Sequence, residues 1–201
     1  MFSARETKNG RVLTLLTAVL FALAAGGCSS SLYKVKPPEA LARMPAGAAV
    51  ADVGSVTFRA APLLTDEETQ ELFEANLQLA GLLPVRLEVT HNGGEPLALK
   101  KLKFKLHDAA GGQWKLLSGK QAVSRILSAN GVFLYNPNSR KTFEKEFRAY
   151  EFDLKSPLTN AERRRHGLII FLGPEKAPVA SPQNLTLSIE GLAQPVALKL
   201  N

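Results

Sequence analysis

The chain has 201 residues, 45% of them hydrophobic and 21% charged, and 25 Lys+Arg against 18 Asp+Glu give it a formal charge of +7. Its single cysteine, Cys28, excludes an internal disulfide and any zinc site that needs a second thiolate. The basic excess is modest and scattered, and nothing in the sequence has the form of a nucleic-acid-binding module.

At the start of the chain, Arg5, Lys8 and Arg11 lead into fourteen mostly apolar residues, Val12 to Ala25, followed by Gly26-Gly27-Cys28. A basic n-region, a short apolar h-region and small residues before a cut site describe a secretory leader, since a peptidase must fit the extended backbone into a narrow site. Fourteen residues fall short of the roughly 20 that cross a bilayer as a helix. The stretch Leu23-Ala-Ala-Gly-Gly-Cys28 resembles the signal motif of bacterial lipoproteins, with Ala25 where that family prefers leucine. The resemblance implies cleavage between Gly27 and Cys28, a diacylglyceryl group on the Cys28 sulfur and further acylation of the new amino terminus. Two or more acyl chains hold a protein stably on a membrane where one does not. Ser29 stands where an aspartate often marks inner-membrane retention in that family, so the expected location is the cell envelope, at the outer membrane facing the periplasm. Removal of residues 1–27 leaves 22 Lys+Arg against 17 Asp+Glu, a formal +5.

Residues 28–49 carry Ser29 to Ser31, the pair Pro37-Pro38, several alanines, Pro45 and Gly47, with no period. That composition predicts a flexible tether spanning about 25 Å. Residues 50–201 suffice for one domain with a real core.

In that domain the dominant period is two. Val56, Phe58 and Ala60 alternate with polar neighbours, as do Val85, Leu87 and Val89, before a turn at Asn92-Gly93. Leu97 and Leu99 then fall at odd positions but Leu102, Phe104 and Leu106 at even ones, which places a bulge or kink at Lys100-Lys101. A second turn follows at Asp108–Gly112. Tyr150, Phe152 and Leu154 alternate, Leu168 to Leu172 is continuously apolar as in a strand buried on both faces, and residues 185–189 and 196–200 form a hairpin around Gly191. Thr65-Asp-Glu-Glu68 is a capping box that opens a helix to about Leu79, Ser118-Gly-Lys-Gln121 is a second, and Ser139 to Ala149 has Phe143 and Phe147 at helical spacing. The expected fold is mainly β, an immunoglobulin-like two-sheet sandwich of seven to eight strands with short helices inserted in the connections.

The course Gly81-Leu-Leu-Pro84-Val-Arg-Leu-Glu-Val-Thr-His-Asn92, then Leu102-Lys-Phe-Lys-Leu-His-Asp108-Ala-Ala-Gly111, with a late Gly167-Leu-Ile-Ile-Phe171, resembles uncharacterised bacterial lipoproteins with a single immunoglobulin-like domain. The resemblance spans most of residues 50–175 and brings no catalytic residues with it.

Candidate sites are few. His91, His107 and His166 match no zinc spacing, so neither metal nor cofactor is expected. Arg163, Arg164 and Arg165 form the densest basic cluster and a possible anion-contact surface, because guanidinium forks suit phosphate and carboxylate. Lys101, Lys103 and Lys105 share the polar side of a strand, and Trp114 and Tyr135 are candidate anchors or rim packing. No serine elbow, metalloprotease helix, phosphate loop or dinucleotide fingerprint occurs. The expectation is a non-enzymatic interaction or structural module, lipid-anchored, with the membrane and an envelope protein or cell-wall polymer as partners and no nucleic acid. The alternatives are a small-ligand binder with a pocket under the 118–149 insertion, and a hydrolase with a site of unfamiliar form.

Overall fold

The computed structural model describes residues 30–41, 43–180 and 182–201. The expected leader, the expected cut between Gly27 and Cys28 and the expected lipidation of Cys28 lie outside the described residues. Eight strands run β1 (Ala49–Val53), β2 (Val56–Pro62), β3 (Leu82–His91), β4 (Lys103–His107), β5 (Gln113–Leu117), β6 (Arg164–Leu172), β7 (Thr186–Glu190) and β8 (Val196–Lys199). Three α-helices, α1 (Asp66–Phe73), α2 (Gly119–Ala129) and α3 (Pro137–Arg148), occupy the β2–β3 and β5–β6 connections.

The strands form one sheet in the order β1-β2-β3-β6-β5-β4-β7-β8, and every neighbouring pair is antiparallel. The first and last strands, β1 and β8, come alongside each other, so the sheet curls into a nearly closed barrel. The expected mainly β fold is present, but the two-sheet immunoglobulin-like sandwich is not confirmed, because hydrogen bonding is continuous around the wall. The continuity is made by β5, whose Gln113 and Trp114 pair with β4 while Lys115 to Leu117 pair with β6. A strand that changes partner midway turns a corner between what would otherwise be two layers.

The wall carries a core on each side. Inside the barrel lie Phe58, Val85, Leu87, Phe104, Leu106, Trp114, Ile169, Phe171, Leu187 and Ile189, all buried. Outside it, Leu168, Ile170 and Leu172 of β6 meet Phe73 of α1, Val123 and Ile126 of α2, and Phe143 and Phe147 of α3. Leu168 to Leu172 is continuously apolar because alternate side chains serve the two cores, which is the expected double burial. The helical layer closes on an aromatic cluster in which Phe73 is 5.0 Å from Phe147 and 4.8 Å from Tyr150.

Both capping boxes form: Thr65 accepts from the Glu68 amide, and Ser118 from that of Gln121. Helix α1 stops at Phe73 rather than near Leu79. Glu74 takes a left-handed φ of 53°, and the Asn76 side chain then captures the Leu79 N–H at 2.8 Å, a local bond that competes with helix continuation. Asn92-Gly93 does not join a hairpin, since β3 pairs with β2 and β6 whereas β4 pairs with β5 and β7. The phase slip at Lys100-Lys101 is a turn of 3-10 helix over Leu99–Lys101. Residues 150–154 form no strand; they make only a parallel bridge, Glu151 to Leu168, at the β6 edge.

The expected tether, 28–49, also departs from the reading of its composition. Leu32, Tyr33 and Val35 pack against the helical layer, Leu41 is buried in it, and the Tyr33 ring is 4.9 Å from Phe143. The Lys36 N–H donates to Leu72 O at 2.8 Å, and the Tyr150 hydroxyl lies 2.7 and 2.9 Å from the carbonyls of Lys36 and Pro37. Burial, reinforced by Glu39, pushes the Tyr150 hydroxyl up to about 12. The folded state therefore holds that proton more tightly than the unfolded chain, in which a phenol titrates near 10. Its contribution is complete below pH 10 and disappears as pH rises through about 12. Tyr150→Phe is expected to cost about 0.5–1.5 kcal/mol, to expose residues 31–41 to protease, and to remove that alkaline component from urea titrations run between pH 7 and 12.

Candidate functional site

β5 covers only part of the β6 edge. It pairs as far as Ile170, then leaves the wall at Leu117 to enter α2, while the chain returning from α3 crosses the same edge further along. There the Phe152 N–H donates to Leu168 O at 2.9 Å and the Leu168 N–H to Tyr150 O. Between the two lies an open groove of about 650 Å³, with Leu116, Phe152, Leu154 and Ile169 among its apolar lining and Lys120, Arg148, Glu151, Asp153 and Lys155 among its charged residues. This is where the sequence placed the pocket of the ligand-binding alternative, below the 118–149 insertion.

Most of the polar groups on the groove are already engaged. Glu151 accepts from the Gly119 N–H at the start of α2 and, at 3.0 Å, from Arg148 Nε. Asp153 accepts from the Lys155 N–H at 2.8 Å and faces Arg165 at 3.6 Å. The Ser156 hydroxyl, above all, holds the Asp153 carboxyl below its usual range. The ammonium groups of Lys120 and Lys155 have no carboxylate partner among the described residues. The groove thus offers an apolar floor beside two free cations, which suits an anionic amphiphile better than a neutral or cationic one.

The approach of the returning chain depends on Gly167. A Cβ there would lie 2.7 Å from both the Cα and N of Phe152. Gly167→Ala therefore forces the 150–152 backbone off β6. The expected cost is about 1–3 kcal/mol, with increased exchange at the Phe152 and Leu168 amides by hydrogen–deuterium measurement.

The three arginines expected to form an anion-contact surface are held in different ways. Arg165, the second residue of β6, is only 9% exposed. Its guanidinium grips Glu162 at 2.6 and 2.8 Å and donates to the carbonyls of Asp153, Ser156 and Pro157 at 2.9, 2.6 and 3.3 Å. Arg164 pairs with Glu88, which is buried on the outer face of β3 and also lies 3.7 Å from Arg59. Arg163 and Arg164 are both exposed, Arg163 with its Nε directed at Asn160 O. The cause is register: Glu88 stands opposite His166 and Arg59 across its two ladders, so an arginine two residues along β6 reaches it diagonally.

The remaining candidates separate. His91 is 1% exposed at the end of β3, and neither ring nitrogen has a hydrogen-bond partner among the described residues. His166 is exposed and His107 half-buried on separate strands. Among the described residues no cluster of three or more His, Cys, Asp or Glu gathers to hold a metal. Trp114 is core packing, its indole N–H donating to Asp108 at 3.1 Å, and the Tyr135 hydroxyl accepts from Arg140 at 2.7 Å. Lys105 is tied to Glu190 at 2.6 Å, Lys103 is exposed, and Lys101 lies in the 3-10 turn.

Comparison with protein-family models, with curated proteins and with solved structures returned no match. Function is therefore argued from the residues.

The clamp and patch readings of the arginines give different outcomes. Arg165→Ala is expected to lower stability by about 1.5–3 kcal/mol, since hydrogen bonds to a charged group are lost, whereas Arg163→Ala should stay within about 0.5 kcal/mol. The Arg165 hydrogen bond also holds the Glu162 carboxyl below its usual range. A depressed carboxylate stabilises the fold above its unfolded value and loses that contribution as pH falls through the folded one. Arg165→Ala should accordingly flatten the acid limb of thermal melts recorded below pH 5.

Proposed function

We propose that this is a lipid-anchored protein of the bacterial cell envelope, facing the periplasm from the outer membrane, whose barrel-like domain is a non-catalytic interaction or structural module. The observation that carries the reading is Cys28, the sole thiol, directly after fourteen mostly apolar residues, Val12 to Ala25, and Gly26-Gly27. A lone cysteine in an exported protein has no disulfide to make, and a lipid bond gives it a use. The proposed partners are the membrane, through the acyl chains, and an envelope protein or cell-wall polymer. Membership of the immunoglobulin-like lipoproteins belongs to the same proposal. It is supported by the change of partner along β5, on either side of which β1-β2-β3-β6 and β4-β7-β8 make two half-walls.

A second reading, an accessory protein that carries a small anionic amphiphile, is favoured by the open groove and by Lys120 and Lys155, which have no carboxylate partner among the described residues.

For the anchor, Cys28→Ala is expected to abolish incorporation of labelled palmitate and to leave an uncleaved precursor. Undiminished label in the variant would overturn the assignment.

A further inference from the structure

We infer that the loop tip Phe133-Leu134 is a second membrane contact, which lays the helical layer of the domain directly on the lipid surface holding the acyl chains. The inference rests on the lipid-anchor reading and adds to it an orientation and a pair of inserting side chains.

Phe133 is 72% exposed and Leu134 98%, the two largest values among the exposed large hydrophobics of the described residues, and they are adjacent. The loop beneath them is well held. Gly131 takes a φ of 69°, the Val132 N–H donates to Leu127 O at 2.9 Å, and Val132 and Tyr135 pack into the helical core. On the far side Asn136 caps α3 through the Asn138 amide at 2.8 Å, and Pro137 takes the first helical position. Two large apolar side chains thus project into water from a fixed base, and single exposed hydrophobics are ordinary where such a pair is not.

The length of chain leading to the anchor decides what covers them. Only Ser29 and Ser30 separate Cys28 from Ser31. From Leu32 onward the chain is packed, with Tyr33 against Phe143. Three residue steps reach about 10 Å at most. The acyl chains therefore enter the bilayer close to where the N-terminal segment meets α3, not 25 Å away on a free tether. Phe143 is six residues past Pro137, so the segment meets α3 midway along the helix, about 9 Å from its loop-tip end.

Charge agrees with a membrane. From Asn130 to Phe143 the only charged residues are Arg140 and Lys141, both basic. The Arg140 guanidinium lies 5.6 Å from the centre of the Tyr135 ring. An aromatic–basic pair behind an apolar tip is the order in which a bilayer interface presents hydrocarbon, then anionic headgroups.

The test uses the full-length, processed protein in vesicles of phosphatidylethanolamine and phosphatidylglycerol. Acylation blocks the sole native thiol, so Leu134→Cys or Ala193→Cys supplies one site for a polarity-sensitive fluorophore, the latter on the exposed β7–β8 turn of the far wall. Position 134 should show blue-shifted emission quenched by spin-labelled lipid, and position 193 a solvent-like spectrum without quenching. Equal, solvent-like spectra on acylated, vesicle-bound protein would overturn the contact while leaving the anchor intact, as would a photocrosslinker at 134 that captures only protein in cells. Labelling of Cys28 in the unsubstituted protein, with no flotation on vesicles, would overturn both.

Discussion

Both halves of this molecule depend on the double burial of β6. Leu168, Ile170 and Leu172 face the helices while Ile169 and Phe171 face the barrel, so a single nine-residue strand is the floor of one core and the wall of the other. A large-to-small change in such a strand typically costs a few kcal/mol, and here it is felt on both sides. The central place of β6 also explains why the helices sit where they do. α2 and α3 leave and rejoin the wall beside β6, and α1 bridges β2 to β3 on the same outer face.

That arrangement has consequences at each end of the chain's path. The returning segment 150–152 must lie against the β6 edge, which requires the bare backbone of Gly167. Tyr150 then points into the helical core and holds the carbonyls of Lys36 and Pro37. The N-terminal residues are thereby tied to the domain rather than left as a spacer. Under the proposed anchor, so short a lead would confer orientation as well as attachment, and would give the groove beside β5 and the Phe133-Leu134 tip fixed positions relative to the membrane.

Much of this was legible in the sequence, and the misreadings have physical causes. Leu168 to Leu172 announced its double burial because no polar residue interrupts it, and both capping boxes were readable because their partners are three residues apart. Strand β1 was missed because Ala49, Ala51 and Val53 are small and only half-buried. Strand β5 was hidden because its five residues run straight from a turn into a helix cap. Tyr150 and Phe152 imitated strand alternation, yet they belong to different cores. In the N-terminal segment the prolines and serines outweighed Leu32, Tyr33, Val35 and Leu41, whose burial depends on a surface built more than a hundred residues later. The arginines looked like one patch because sequence proximity does not reveal that Glu88 and Glu162 each claim one of them.

The central claim is that β6 joins barrel, helices and N-terminal segment into one cooperative unit. Native-state hydrogen exchange on the processed protein tests it most directly. The account predicts that the β6 amides are the slowest to exchange and that the Lys36 amide, donated to Leu72, is strongly protected. Exchange of Lys36 at the rate of an unstructured peptide, with β6 still protected, would contradict it.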